Sequence, residues 1–205
     1  APKEWSEALN QRIPTFQLGG VWHEGDMATF CGYDLEDETC RAVEYLRKNG
    51  HERIMCVWDS LVFGEAARRG FRRAFEGGRF EAATNYFCPI FTDPSPEGWM
   101  HFWKDKLTEL EPTAVILPNE IRLISFYGFC SRVKLRIPQE LSVLMMNESS
   151  IFEWMYPRPT MMSFSDAKMV SFFNEWMEAD CKGIGRRLIS LELVDGQSVR
   201  TLVEE

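Results

Sequence analysis

Basic charge and long apolar runs are both scarce in this chain. Its 23 lysine and arginine residues are outnumbered by 31 aspartate and glutamate residues, which leaves a formal charge of -8 at pH 7. A field of that sign repels the phosphate backbone of nucleic acids, so we expect this segment not to bind DNA by itself. No apolar run approaches the roughly 18 residues of a membrane span, so we expect no membrane partner.

Motifs for covalent, metal or redox chemistry are absent as well. The six cysteines form no C-x-x-C pair and mostly stand beside apolar residues, which is typical of buried thiols in a reducing cytosol. They are Cys31, Cys40, Cys56, Cys88, Cys130 and Cys181. His23, His51 and His101 have no partner at metal-ligand spacing, and no Gly-x-Ser-x-Gly elbow or phosphate loop occurs. The first residues also lack the features of a secretory signal. We therefore predict a cytoplasmic protein with no cofactor, no metal and no enzymatic activity.

What the chain does contain is a repeated alternation of strand and helix patterns. Strands are predicted at residues 13–18, 27–33, 53–58, 84–90, 114–117 and 141–146, and helices at 2–10, 37–49, 64–76, 97–110, 121–133 and from Ser165 onward. Residues 187–194 and 199–203 are predicted to pair as a hairpin around Asp195-Gly196. The alternation predicts an α/β fold with parallel sheets, in one large domain or two smaller lobes.

Short motifs recur in a consistent order along this alternation. They are Gly50-His51 before a strand, Gly70-Phe71-Arg72 on a helix, Pro112–Ile116 followed by Asn119-Glu120, Ile137–Val143, Pro159–Ser163 and Gly196-Gln197-Ser198. In order and spacing they resemble the lactose-repressor/galactose-repressor (LacI/GalR) family of bacterial transcriptional regulators. The resemblance extends from about Ile13 to the end of the chain.

The resemblance implies a periplasmic-binding-protein-like fold of two Rossmann-like parallel-sheet lobes. On that mapping, residues 1–50 and 161–185 form the N-terminal lobe, and residues 51–160 and 186–205 form the C-terminal lobe. The N-terminal lobe is expected to be incomplete, because the family's first two βα units have no counterpart here. The helix-turn-helix headpiece is also absent from this sequence, so any contact with DNA would be made through a headpiece outside it.

Two asparagines are the leading candidates for ligand contact. Ligands of parallel sheets bind beyond the carboxyl ends of the strands, where Asn119 follows strand 114–117 and Asn147 follows strand 141–146. Asn119 is equally placed to cap the next helix, and that alternative stays open. In the resemblance, Asn147 stands where the family usually has an aspartate. The other predicted ligand-binding residues are Trp22, Ser60, Phe63 and Phe91. Core packing or a position in the interface between the lobes is an equal alternative for the aromatic side chains, as it is for Trp58.

Two polar contacts that the family usually makes have no counterpart here. Gly19 stands in place of a strand-end aspartate, and Ala67 in place of an arginine that reaches the effector. Their loss removes charge-assisted hydrogen bonds, which weakens the case for a standard sugar or purine effector.

The resemblance still predicts a small-molecule effector, a sugar or related polar metabolite, that binds between the lobes of a homodimer and changes its affinity for DNA. Exposed aromatic residues in 152–156 are candidates for the dimer contact. Two alternatives stay open: an extracytoplasmic sugar-binding protein of a transporter, and a regulator that no longer binds an effector.

Overall fold

The structure is a computed structural model, and it describes residues 12–19, 28–58, 61–75, 87–88, 93, 95–182 and 185–202, together with Glu4, Ala8 and Leu9. In chain order the elements are β1 (Phe16–Leu18), β2 (Thr29–Gly32), α1 (Leu35–Lys48), β3 (Ile54–Val57), α2 (Leu61–Arg73), β4 (Phe87–Cys88), α3 (Pro96–Leu110), β5 (Ala114–Leu117), α4 (Glu120–Val133), β6 (Ser142–Met145), a 3-10 helix (Ser150–Trp154), β7 (Thr160–Ser163), α5 (Asp166–Glu178), β8 (Arg186–Leu188) and β9 (Glu192–Val194). No helix among these residues is long and apolar enough to cross a membrane.

The chain divides into two compact units, and both are discontinuous in sequence. The first unit contains Ala1–Asp34 and Phe164–Leu191, and the second contains Leu35–Ser163 and Glu192–Glu205. The predicted lobe boundary at residue 50 therefore differs from this division, which places α1 in the second unit. The reason is that α1 packs closely on α2, where Gly70 lies against the backbone of Glu36.

The first unit has a three-stranded parallel sheet in the order β1-β2-β8. Phe16 of β1 packs against three aromatic side chains of α5, Phe172, Phe173 and Trp176, with ring centroids 5.2–5.4 Å apart. These three residues share one helical face, as their sequence spacing predicted. Ser165 occupies the predicted N-cap position of α5, although its side chain makes no capping hydrogen bond.

The second unit has a six-stranded sheet in the order β4-β3-β5-β6-β7-β9, and only the β7–β9 pair is antiparallel. Every residue of β3, β5 and β6 is buried, as expected of parallel strands that are covered on both faces. Trp99 and Trp103 of α3 and Phe126 of α4 belong to the core on this sheet. Trp103 also donates its indole N–H to the Ser125 hydroxyl at 3.0 Å.

The predicted C-terminal hairpin is wrong. β8 belongs to the sheet of the first unit, β9 pairs with β7, and no strand is present at 199–202. The cause lies at Gly196, where a Cβ would overlap the carbonyl oxygens of Arg158 and Pro159. Glycine is therefore used here for close backbone approach rather than for a two-residue turn.

Beyond Gly196 the chain runs along the second unit's sheet and ties its strands together. The Ser198 hydroxyl donates to the Val143 carbonyl at 2.6 Å and accepts from the Thr160 amide at 2.7 Å, so it links β6 to β7. The imidazole of His51 is fully buried and bridges the Thr113 hydroxyl and the Arg200 carbonyl, each at 3.0 Å. Residues of the Gly50-His51 motif and of the Gly196-Gln197-Ser198 motif thus both bind the C-terminal segment to this sheet.

Candidate ligand-binding site

Three neighbouring strands of the second unit bring polar residues to one edge of its sheet. β5, β6 and β7 run parallel, with Leu117 opposite Met145 and Met145 opposite Met161. The residues at and just after their carboxyl ends therefore lie side by side. They are Asn119, Glu120, Asn147, Glu148 and Ser163, and we call them the strand-end cluster.

Asn119 caps α4. Its Oδ1 accepts a hydrogen bond from the backbone amide of Arg122 at 3.1 Å, so the capping alternative left open by the sequence is confirmed. Capping uses only the oxygen of the amide. The Nδ2 group is not used by the cap and can donate to a ligand, so the two roles are compatible.

Asn147 is held in one orientation by Glu120. Its Nδ2 donates to Glu120 Oε2 at 3.0 Å and makes a longer contact of 3.4 Å with the Glu148 carbonyl. This carboxylate can only accept, so the nitrogen of the amide must face it. The Asn147 Oδ1 atom is then left buried without a hydrogen-bond partner. An unmet buried acceptor costs about 1–3 kcal/mol, which a ligand hydroxyl or a water could recover.

A second carboxylate is oriented on the neighbouring strand. The hydroxyl of Ser163, the last residue of β7, donates to Glu148 Oε2 in a short hydrogen bond. Glu148 is exposed and Ser163 half-buried, so both can be reached from solvent. Two carboxylates, two amides and one hydroxyl therefore meet at this edge.

Arg122, the cation in the first turn of α4, is stacked on an aromatic ring. The Arg122 guanidinium carbon lies 3.9 Å from the centroid of the Trp99 ring, which is cation–π stacking. Trp99 is buried in the core of the second unit. The stacking holds Arg122 against α3.

The remaining predicted site residues are not placed in this cluster. Trp22, Ser60 and Phe91 lie outside the described residues, and Phe63 is described only as a position in the first turn of α2. Trp58, at the end of β3, is 7% exposed, which supports its core-packing alternative. Their part in ligand binding stays a prediction.

The structure describes both positions at which the family's polar contacts are missing. Gly19 adopts a φ of +66°, in the left-handed region that glycine enters most readily, and its amide donates to the Cys31 carbonyl at 2.7 Å. Ala67 is fully buried, so this position presents no polar group to a ligand.

Sequence reasoning missed Glu120, Glu148 and Ser163. Glu120 and Ser163 were recognised only as parts of the Asn119-Glu120 and Pro159–Ser163 motifs, so neither was assigned a contact. Glu120 and Glu148 lie within three residues of the end of a predicted strand, and that position was the available signal. No strand was predicted at residues 160–163, so recognising Ser163 required the structure, in which β7 lies beside β6.

A separate pocket lies at the other edge of the same sheet. It has a volume of about 610 Å³ and is lined by residues 153–156, Arg158 and 195–197. These residues precede β7 or follow β9, so the pocket is remote in topology from the strand-end cluster. Within the described ranges, no three His, Cys, Asp or Glu side chains converge as metal ligands would.

Comparison with known proteins agrees with this architecture. Residues 43–199 match the model of the periplasmic binding protein-like domain family. No curated protein sequence matches the chain significantly.

Solved structures share the fold at low sequence identity. A LacI family transcriptional regulator from Enterococcus faecium with bound ribose is 17% identical, with a TM-score of 0.80 over 99% of this chain and 77% of that chain. A transcription regulator from Lactobacillus plantarum is 19% identical, with a TM-score of 0.78 over 94% and 75%. A sugar-binding LacI family regulator from Escherichia coli, complexed with phosphate, is 15% identical, with a TM-score of 0.74 over 97% and 72%.

The resemblance and the α/β fold class read from the sequence are confirmed, since the structural neighbours are LacI-type regulators. Both sheets are built mainly from parallel strands, as that fold requires. The match covers most of the chain and includes α2, β3 to β7 and the closing Ser198. The chain therefore belongs to the periplasmic binding protein-like domain family and shares the fold of LacI-type transcriptional regulators.

Proposed function

We propose that this chain is the effector-binding core of a cytoplasmic, bacterial LacI-type transcriptional regulator. A small polar molecule binds at the strand-end cluster and changes the affinity of a dimer for DNA, which is contacted through a headpiece that this sequence does not contain. The observation that carries the proposal is the position of Asn119 and Asn147 after the carboxyl ends of two adjacent parallel strands, with the buried Oδ1 of Asn147 left without a partner.

The structural neighbours support a small-molecule ligand. One was solved with ribose and another with phosphate, and both share the fold of this chain. Binding can regulate only if the ligand has different affinities for two conformations of the protein. The ligand would therefore shift an existing equilibrium that the headpieces read out.

The second unit also carries apolar surface that a second copy of the chain would cover. Trp154 and Tyr156 are 88% and 89% exposed, and Ile121 and Ile124 of α4 are exposed as well. Tyr127 of α4 donates to the carbonyl of Pro157, which fixes the helix beside this segment. Exposed groups of large apolar side chains typically mark protein interfaces.

The dimer is tested by sedimentation of two matched variants. Trp154→Ser should shift the chain toward monomer, whereas Val170→Ser, which removes an exposed apolar residue from α5, should leave the mass unchanged. A wild-type chain that sediments as a monomer throughout the accessible concentration range would refute the dimer.

The effector is tested by thermal-shift screening with sugars, sugar acids, polyols and nucleobases. A ligand that binds only the folded state raises the melting temperature, by an amount that grows with its concentration relative to Kd. Asn119→Ser keeps a capping oxygen but removes the Nδ2 donor, and Asn147→Ala removes the buried acceptor. Both variants should lose the ligand-induced shift, measured against their own unliganded melting temperatures.

Asn174→Ala is the matched control, because Asn174 is exposed on α5. It should retain the full shift. A ligand whose shift survives Asn119→Ser and Asn147→Ala would bind elsewhere and contradict the proposed site.

A regulator that needs no effector is the second candidate, and it is favoured by Ala67 and Gly19, which leave two family contacts unfilled. A folded chain that shows no shift with any compound in the screen would support it. Such a protein should also keep its DNA affinity unchanged by metabolites once joined to a headpiece.

A further inference from the structure

The strand-end cluster offers many more acceptors than donors. Asn147 contributes a buried Oδ1 that lacks a partner, and Glu120 and Glu148 contribute carboxylates that can only accept. The Ser163 hydroxyl already donates to Glu148. Among these five residues, the free donor is the Nδ2 group of Asn119. A ligand that satisfies this set must itself supply hydrogen-bond donors.

The residues that directly follow β5 and β6 carry no basic side chain. They are residues 118–119 and 146–149, and the charged residue among them is Glu148. Glu120 adds a second carboxylate at the start of α4, where the guanidinium of Arg122 is stacked on the Trp99 ring. The charge of Glu120 partly cancels the positive end of the helix dipole, which would otherwise favour an anion.

The opposite edge of the sheet carries both signs of charge. The segments that lead into β3 and β6 contain Arg53, Lys134 and Arg136 as well as Glu52 and Glu140. Basic side chains are therefore present where these strands begin, whereas the residues that directly follow β5 and β6 have none.

Resting on the proposed function, we infer that the effector is a hydroxyl-rich or amino-bearing molecule without negative charge, and that phosphorylated and carboxylated sugars are rejected. Each hydroxyl or ammonium group can donate to an acceptor of the cluster, whereas a phosphate or carboxylate at neutral pH supplies acceptors only. Repulsion from nearby carboxylates adds to the mismatch. This specificity separates the chain from the Escherichia coli relative that was complexed with phosphate.

Isothermal titration calorimetry of the whole chain with matched probes tests the inference. The probes are ribose and ribose 5-phosphate, glucose with glucose 6-phosphate, gluconate and glucosamine, and galactose with galactonate. We expect the neutral or amino member of at least one set to bind, and its anionic counterpart to bind at least about tenfold more weakly. The difference should shrink as the salt concentration rises, because salt screens exposed charges.

A charge variant links the selectivity to the cluster. Glu148→Gln keeps the shape of the side chain and removes one carboxylate, so it should bring the affinities of the neutral and anionic probes closer together. Glu109→Gln changes the net charge equally at the end of α3, where Glu109 pairs with Lys106, and should leave the ratio unchanged. Melting temperatures of both variants report whether the fold is intact.

The possible outcomes separate the two proposals. If an anionic probe binds as tightly as its neutral counterpart and its binding is lost in Asn147→Ala, the charge inference is overturned and the proposed function stands. The charge inference is also overturned, again without loss of the proposed function, if Glu148→Gln and Glu109→Gln change the ratio alike. If no probe of either class binds the folded chain, the proposed effector binding is overturned and the charge inference with it.

Discussion

Replacing Gly70 with alanine is expected to destabilise the second unit, although alanine is the better helix former. An alanine Cβ at this position would overlap the carbonyl oxygen of Glu36 and lie 2.8 Å from its carbon and 3.0 Å from the Thr39 Cβ. To reach ordinary contact distances, α1 and α2 would have to separate by on the order of 1 Å. The same separation would stretch the ion pairs of Arg69 with Glu36 and of Arg73 with Asp37, each 2.6 Å long.

The expected change in the free energy of unfolding is the sum of three contributions, two unfavourable and one favourable. Overpacking of a close contact costs about 1–3 kcal/mol. Weakened surface ion pairs cost up to about 1 kcal/mol, and the higher helix propensity of alanine returns about 1 kcal/mol. The net loss is therefore about 2 kcal/mol, which for a chain of this size lowers the melting temperature by about 4–8 °C.

Gly64→Ala in the same helix is the matched control. A Cβ there would lie 3.7 Å from Trp58 Cδ1, an ordinary contact, so the propensity gain should dominate and raise stability by up to about 1 kcal/mol. The assay is thermal unfolding followed by far-ultraviolet circular dichroism. If Gly70→Ala melts at or above the wild-type temperature, the close approach of the two helices does not constrain this position and the reasoning fails.

Three further predictions concern the hydrogen bonds that hold the C-terminal segment on the sheet of the second unit, and the cap of α4. Burial lowers the pKa of His51 below 6.5, so the folded state binds this proton less tightly than the unfolded chain does. The free energy of unfolding, measured in urea, should therefore fall as the pH drops from about 7.5 to about 5.5. The fall should be less steep in His51→Gln than in the control variant His101→Gln. Ser198→Ala should cost about 2–4 kcal/mol, because it leaves a backbone amide and a carbonyl buried without partners, whereas exposed Ser131→Ala should change the unfolding midpoint little. Asn119→Ala should lower the free energy of unfolding by about 1 kcal/mol, and Asn119→Asp by much less, because aspartate keeps the capping oxygen and alanine does not. Equal losses for the two variants in denaturant unfolding would exclude capping as the cause.

The regular elements of the second unit were predictable because their sequence periods are strong. Strand 114–117 was predicted with its observed bounds, and α3 and α4 begin one residue before their predicted starts. Helical spacing on α5 also located the aromatic face that covers β1. These features depend on local patterns that a single sequence displays.

The features that escaped prediction depend on which strands become neighbours. Residues 187–194 looked like one strand of a hairpin, but the chain enters the first sheet at β8, leaves it and pairs β9 with β7. The acceptor-rich character of the site was hidden for the same reason, since Ser163 meets Glu148 only because β7 lies beside β6. Asn119 was located correctly, but only the structure shows that its oxygen is occupied by the cap while its nitrogen is not.

The path of residues 186–202 also has a consequence for biosynthesis. β9, Ser198 and the backbone contact of Leu202 with Asn49 complete a sheet whose other strands are made much earlier. The first unit likewise needs β8 to join β2. Because a ribosome releases the chain from its N-terminal end, neither unit can assemble fully until these late residues have emerged. The nascent chain must therefore carry an unfinished core until residues 186–202 have been made, and premature termination before Arg186 would leave both units incomplete at once.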